Sequence, residues 1–374
     1  MKLLMISGDR SLVEGKRGAF YNMLEEFHKY WERIDIITPK PNLKFKIENL
    51  KLFDNVKIHS SPWSLWLQSW WILKKGYEIY NEQKFDLVTV HEYPPFYNGI
   101  GARLLWKKTR IPYVLEIHHI PGHPKAASFK EMVYKFATRC FIKFDAAKAK
   151  AVRVVNQHQV PEFLVKSGVP EEKIVHVPSF YIDLNVFKPV GIQKQYDLIF
   201  IGRLVENKGA GLLLQAMSNI KIQMPNIKLL IVGTGPLLEN LKLKTMNYKL
   251  ETNIIFHGWA RDSQEVARLL NQSHILVMPS YNEGGPRVVL EAMACGVPVL
   301  ATPVGIVPDV IRDDESGGFI NWDSSDISQK AQELLENTVK YQKYRSNGLE
   351  IAGHFEKQSA IKNYAEKLQK ITHE

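Results

Sequence analysis

Three short stretches in the second half of the chain combine cations, carboxylates and glycines at spacings that suit an extended anionic ligand. The first is GRLVENKG, residues 202–209, directly after a strand-like run. It puts Arg203 and Lys208 on one loop at the carboxyl end of a strand, where doubly wound sheets bind ligands. A planar guanidinium fork beside a compact ammonium suits a diphosphate. The second runs from Glu283 through Gly284, Gly285, Pro286, Arg287 and Val288 to Glu291. Pro286 suits the first turn of a helix. The amides of Arg287 and Val288 would then stand at a positive helix end, a ready anion site. Glu283 and Glu291, eight apart across a loop–helix junction, can serve different parts of one ligand. The third, IVGTGP at residues 231–236, is a strand into a tight turn at Gly233. It could pass a base or ribose, or serve as a plain turn. No GxGxxG fingerprint and no P-loop occurs. In the first half, His91 and His118 each close a strand-like run. A lone histidine is usually structural. Two at equivalent ends of one sheet point to a shared site.

Elements at regular intervals must position these residues. Apolar runs at Lys2 to Ser7, Arg33 to Thr38, Phe85 to His91, Tyr113 to His118 and Ala151 to Asn156 predict buried parallel strands. Helical stretches separate them, beginning with Ala19 to Trp31 after a loop bearing Gly15 and Gly18. The pattern restarts with strands at Tyr196 to Gly202, Lys228 to Gly233, Asn253 to His257, His274 to Pro279 and Pro298 to Thr302. Helices are predicted at Gly211 to Met224 and Arg287 to Cys295. Alternating strands and helices predict an α/β fold of two Rossmann-like, doubly wound domains. Proline and polar residues between Pro178 and Val190 break the periodicity. The expected domains are 1–183, joined by a C-terminal helix at 355–374, and 184–354.

The ordered set GRLVENKG, IVGTGP and PSYNEGGPRVVLEAMACGVPVLAT resembles the C-terminal domain of retaining glycosyltransferases of the GT-B fold, family 4. The likeness covers about residues 196–310 closely. It implies two domains facing across a cleft and a nucleotide-sugar donor held by the second. Arg203 and Lys208 would contact the diphosphate. Glu283 would lie beside the sugar with the Gly284 and Gly285 amides, and Glu291 would bind the ribose. Gly202, Gly233, Pro286, Arg287 and Val288 complete the expected donor set. On the first domain, His118 matches a histidine near the transferring sugar. The Gly15 to Gly18 loop would approach the donor phosphate, bringing Gly18 near the donor and Lys16 and Arg17 to the acceptor side, with His91 and His119. Where relatives continue with Asp, this chain has His119. In the 283–291 loop it also lacks the family's common aromatic and extra glycine. No DxD triplet is present. With Arg203, Lys208 and a helix end to offset the leaving diphosphate, no metal and no cofactor is expected.

Composition narrows the rest. The chain has 374 residues, 45% hydrophobic and 24% charged, with two cysteines, Cys140 and Cys295. That excludes a disulfide scaffold and a four-cysteine metal site. No targeting segment is read, and a cytoplasmic setting is expected. The net charge is +10, and all of it falls in the first half. Residues 1–190 hold 29 basic and 19 acidic side chains, against 20 and 20 for residues 191–374. Such asymmetry implies an anionic partner for the first half.

Two segments there are candidates for a membrane surface. Trp63 to Lys75 holds four of the eight tryptophans, with Trp63, Trp66 and Trp70 at helical spacing. Phe129 to Lys148 aligns Phe129, Met132, Val133, Phe136, Cys140 and Phe144, flanked by Lys130, Lys135, Arg139 and Lys143. Basic amphipathic segments of this kind lie in membrane interfaces, while core packing would use the same apolar faces. The expectation is a hexosyltransferase using a UDP- or GDP-linked donor and a lipid or lipid-linked acceptor at the cytoplasmic face. The rivals are a GT-B enzyme acting on a soluble glycan and a non-catalytic nucleotide-sugar-binding subunit. A nucleic-acid partner is not expected, because the tryptophan cluster is too uniformly apolar.

Overall fold

A computed structural model describes residues 1–41, 50–178 and 180–373. In chain order the elements are β1 (Lys2–Ile6), α1 (Ala19–Phe27), β2 (Arg33–Thr38), β3 (Leu50–Leu52), β4 (Val56–Ser60), α2 (Gln68–Gln83), β5 (Leu87–His91), α3 (Tyr97–Thr109), β6 (Tyr113–Ile117), α4 (Phe129–Ala146), β7 (Ala151–Val154), α5 (Gln159–Lys166) and β8 (Ile174–His176). There follow β9 (Tyr196–Ile201), α6 (Ala210–Gln223), β10 (Leu229–Val232), α7 (Leu238–Asn247), β11 (Ile254–Gly258), α8 (Ser263–Asn271), β12 (Ser273–Met278), α9 (Arg287–Ala294), β13 (Val299–Ala301), α10 (Val307–Val310), β14 (Gly318–Phe319), α11 (Ser324–Glu336), α12 (Thr338–Gly353) and α13 (Lys357–His373).

The chain forms two compact α/β units. The first comprises residues 1–120, 133–179 and 358–374, and the second residues 121–132 and 180–357. Each is a Rossmann-like sheet, as the alternation of strands and helices predicts. The first has strand order β3-β4-β2-β1-β5-β6-β7-β8, and the second β11-β10-β9-β12-β13-β14. Every pairing is parallel except β3 with β4. Helices on both faces bury both sides of the central strands, which is why β1, β10 and β12 read as unbroken apolar runs.

Local details differ from the sequence reading. The helix expected from Ala19 to Trp31 ends at Phe27, and a 3₁₀ turn covers His28–Tyr30. Trp63, Trp66 and Trp70 do not share a helix: a 3₁₀ turn at Leu65–Leu67 precedes α2. Trp71 is buried with Ile72, and Trp63 packs edge-on against it at 5.7 Å. Trp66 and Trp70 are 81% and 60% exposed.

Helix α4 presents its apolar stripe to solvent. Phe129 and Phe136 are 76% and 69% exposed, and Met132, Val133 and Phe144 are also exposed. Its buried residues are Thr138, Ile142, Asp145 and Ala146. Asp145 meets the buried Glu92, which follows β5. A Cβ added at Gly99 of α3 would lie 2.0 Å from Glu92 Oε2 and 2.7 Å from Asp145 Oδ2, so both carboxyls converge on that glycine. Among the described residues, no helix is long and apolar enough to cross a membrane.

Candidate functional site

In the second unit the loops after β9, β10 and β12 come together at the carboxyl end of the sheet. Gly209 ends the first loop at φ +71°, and a Cβ there would fall 2.1 Å from the Pro279 carbonyl oxygen. Only glycine fits such a backbone and such an approach. The contact draws the first loop onto the end of β12, where the Tyr281 amide donates to Asn207 O at 2.8 Å. Gly233, φ +144°, brings the turn after β10 against Gly202, where a Cβ would lie 1.9 Å from the carbonyl oxygen. The Leu204 amide then donates to Thr234 O at 2.8 Å. The glycines of these motifs therefore allow loop-to-loop contact.

This convergence brings Lys208 Nζ onto Glu283 Oε1 as an ion pair. Ser280 Oγ donates to the same carboxylate oxygen at 3.0 Å. Lys208 is thus engaged by the loop glutamate, whereas Arg203 is exposed. Pro286 is the residue before α9, not in its first turn as its sequence context predicts (φ −70°, ψ 93°). The Val289 amide donates back to Pro286 O at 3.0 Å. Arg287 and Val288 are the first two helical residues, with no preceding turn to accept from their amides. Arg287 lies over the Tyr181 ring, its Cζ 4.6 Å from the centroid. Glu291 is one turn on from Arg287. Burial pushes its carboxyl above the usual range, with Arg287 opposing.

Sequence reasoning missed the surroundings of this loop. Asn282 is fully buried, and its Nδ2 donates to Lys125 O at 3.0 Å and to Glu131 Oε2 at 2.8 Å. Lys125 Nζ lies 5.4 Å from the Tyr281 centroid and 4.9 Å from that of Trp322. The two rings are stacked, and Trp322 Nε1 donates to Ser280 O at 2.9 Å. Residues 121–132 therefore belong structurally with the loops of the second unit.

In the first unit, the register of three strands builds a charged ladder inside the sheet layer. His91 on β5 is opposite Glu116 on β6, and Glu116 is opposite Arg153 on β7. Glu116 and Arg153 are fully buried, with Arg153 NH1 2.9 Å from Glu116 Oε1. His91 Nε2 is 2.8 Å from Glu116 Oε2, and its Nδ1 is 3.2 Å from Ser7 Oγ. Tyr364 on α13 donates to Glu116 Oε1 at 2.7 Å. His118, two residues beyond Glu116 on the same face, receives Arg153 NH1 at 3.2 Å on its Nε2. Burial alone would raise the Glu116 carboxyl, but Arg153 and then His91 outweigh it and hold it far below its usual range. Burial, then the neighbouring His91 and Arg153, push His118 down to about 3.

His91, Glu116 and His118 offer ligand atoms within 4.8 Å of one another. A guanidinium already takes Glu116 Oε1 and His118 Nε2. Its permanent charge makes this a poor cation site. His91 therefore belongs to the buried ladder, and His119 follows His118 half-buried. Gly18 stands at the N-cap of α1. Lys16 and Arg17 are exposed, Lys16 2.7 Å from Glu14 and Arg17 over the Tyr21 ring at 5.2 Å. A buried arginine inside the apolar run AVRVV is the sequence signal that could have exposed the ladder.

Comparison with known proteins bears on what these loops serve. Residues 183–370 match the family model described as glycosyl transferases group 1, and residues 20–181 match that of glycosyltransferase family 4. An uncharacterized glycosyltransferase of Methanocaldococcus jannaschii is 30% identical over 311 residues, 78% of this chain and 73% of the relative. The N-acetyl-alpha-D-glucosaminyl L-malate synthase of Bacillus anthracis is 26% identical over 69% of this chain and 74% of its own length. Among solved structures, Anabaena Alr3699/HepE in complex with UDP and glucose superposes with a TM-score of 0.76 at 18% identity, covering 99% of this chain and 100% of that one.

Proposed function

The chain belongs to the glycosyl transferases group 1 family, and from that premise we propose that it moves a hexose from a UDP- or GDP-linked donor, with retention, to a lipid or lipid-linked saccharide. The observation that carries this reading is the Lys208–Glu283–Ser280 cluster on loops that also bear Arg203 and the first amides of α9. Cations and free amides suit a departing diphosphate, and a fixed carboxylate suits sugar hydroxyls. Glu291 would take the ribose. Retention would follow from attack on the face the diphosphate leaves, with its oxygen taking the acceptor proton. That route needs no enzymic nucleophile and no metal. The backbone carbonyl or ring of His118 would act on the sugar side.

The test is a screen of nucleotides and nucleotide sugars against thermal unfolding, followed by proton NMR of the product's anomeric centre. A ligand at about 100 times its Kd adds about 2.7 kcal/mol, a rise of several degrees in Tm. Either UDP or GDP sugars should produce it. No shift with any donor, or a product of inverted configuration, would overturn the reading.

The acceptor class rests on α4 and the residues before α2. Phe129, Phe136 and Phe144 are exposed beside Lys130, Lys135, Arg139 and Lys143, and Trp66 and Trp70 are exposed as well. An exposed aromatic stripe with flanking cations suits the anionic cytoplasmic face of a membrane, each cation adding about 1 kcal/mol. The protein should co-sediment with vesicles rich in anionic lipid at low salt and release as salt screens the charges. Changing Lys130, Lys135 and Lys143 to Glu should abolish binding and leave donor affinity unchanged. Indifference to anionic vesicles at low salt would instead favour a soluble acceptor.

A further inference from the structure

We propose that Arg153 is a positioning residue that fixes His118 as a neutral imidazole protonated on Nδ1, so that His118 meets substrate as a hydrogen-bond donor and never as a base. The consequence for catalysis rests on the transferase reading above. The tautomer itself does not.

A charge sits where the sequence calls for none. Strand β7 is a buried parallel strand, yet its third residue is an arginine with no exposure. Burying an unpaired guanidinium is costly, and removing a partner from such a group commonly destabilises more than the pair contributes. Two of its three nitrogens are engaged: Nε donates to Val177 O at 2.9 Å, and NH1 reaches Glu116 Oε1 at 2.9 Å and His118 Nε2 at 3.2 Å, while NH2 is buried with no hydrogen-bond partner among the described residues. Guanidinium groups only donate. Nε2 of His118 must therefore present its lone pair, and the ring proton must sit on Nδ1.

The groups around the ring defend that state. From β5, the His91 ring centroid lies 4.9 Å from that of His118. From β7 comes the permanent charge of Arg153. From β6, Glu116 would favour a charged imidazole, but its Oε1 is already committed to Arg153 and to Tyr364 of α13. Its Oε2 faces His91 at 2.8 Å. Ser7, after β1, holds the far nitrogen of His91. Burial, then the neighbouring His91 and Arg153, oppose protonation of His118, in agreement with the hydrogen-bond geometry.

A neutral ring with a fixed Nδ1–H can hold a sugar hydroxyl or a phosphate oxygen. It cannot take the acceptor's proton at that nitrogen, and it brings no negative charge to a developing oxocarbenium. Stabilising positive charge at the anomeric carbon then falls to the His118 backbone carbonyl.

The test is long-range ¹⁵N–¹H NMR of histidine side chains, with His118→Gln to assign the signals. Wild type should show Nδ1–H on His118 with no change from pH 8 to pH 5. In Arg153→Met the Nε2 lone pair is released, so the ring proton should no longer be confined to Nδ1 and His118 should titrate at a higher pH than in wild type, still below about 6.5 because burial and His91 remain. Arg153→Met with Glu116→Gln keeps the site free of unpaired charge and should behave alike. Transfer kinetics give a second readout. kcat/KM in wild type should show no inflection from His118 across this range. In the variants it should fall at the acid end of the range relative to wild type, as part of the imidazole protonates. A wild-type His118 that carries its proton on Nε2, or that titrates above pH 6, would overturn the proposal. So would folded variants with an unchanged tautomer. If wild type shows the Nδ1–H pattern but transfers no sugar, the role of Arg153 stands and the transferase reading fails.

Discussion

Lys208→Ala is expected to lower kcat by about 10²-fold or more, roughly 3 kcal/mol of transition-state stabilisation. Its ammonium is paired with Glu283 Oε1, on the loop that Gly209 docks against the end of β12. A preorganised cation costs no reorganisation when negative charge develops on a leaving diphosphate. Arg203→Ala should cost a similar factor by another route. Arg203 is exposed, so its removal should leave Tm within about a degree while turnover falls. Lys208→Ala should lower both, because Glu283, largely buried, loses its counter-ion and is left with the Ser280 hydroxyl among the described residues. Lys208→Arg should restore part of the stability and less of the rate, since a planar fork does not replace a point charge. Near-normal turnover in either alanine variant would remove these residues from the diphosphate site.

What the sequence revealed and what it hid divide along physical lines. Strands β1, β2, β5, β6, β9, β10 and β12 were readable because burial on both faces makes an uninterrupted apolar run. Strands β3, β4 and β8 were not. Val56–Ser60 mixes exposed Lys57 with His59, whose Nε2 pairs with Asp35 at 2.7 Å, and Ile174–His176 is only three residues long. The glycines of GRLVENKG and IVGTGP stood out, but their purpose lies in contacts between loops distant in sequence. The buried ladder depends wholly on register: no spacing along the chain relates His91, Glu116 and Arg153, which face one another only once three strands pair. Residues 121–132 show the same limit. They follow β6 in the chain, yet Asn282, some 150 residues later, holds them in the second unit. Helix α4 inverted the usual reading of periodicity, because its apolar stripe faces water and a carboxyl is among its buried groups.

That inward carboxyl should dominate the pH dependence of stability. Burial, opposed by Arg103, pushes Asp145 up to about 7, and burial followed by the charge of Asp145 pushes Glu92 well above its usual range. Both groups bind protons more tightly in the folded chain than in the unfolded one. The stability that depends on their being protonated is therefore complete below about pH 4, where the unfolded carboxyls also hold their protons, and is lost as pH rises through about 7. A proton held tenfold more tightly by the folded chain contributes about 1.4 kcal/mol, so urea midpoints should fall by the equivalent of a few kcal/mol between pH 5 and pH 8. Asp145→Asn should flatten that slope and make the variant the more stable protein at pH 8, since an amide can meet the Glu92 carboxyl without a second charge. Gly99→Ala is the control for geometry. Its Cβ would enter the point where both carboxyls converge, so it should destabilise at every pH without changing the slope in the same way. A wild type as stable at pH 8 as at pH 5, with Asp145→Asn showing no advantage, would mean that the pair is ionised at no cost and that something else balances it.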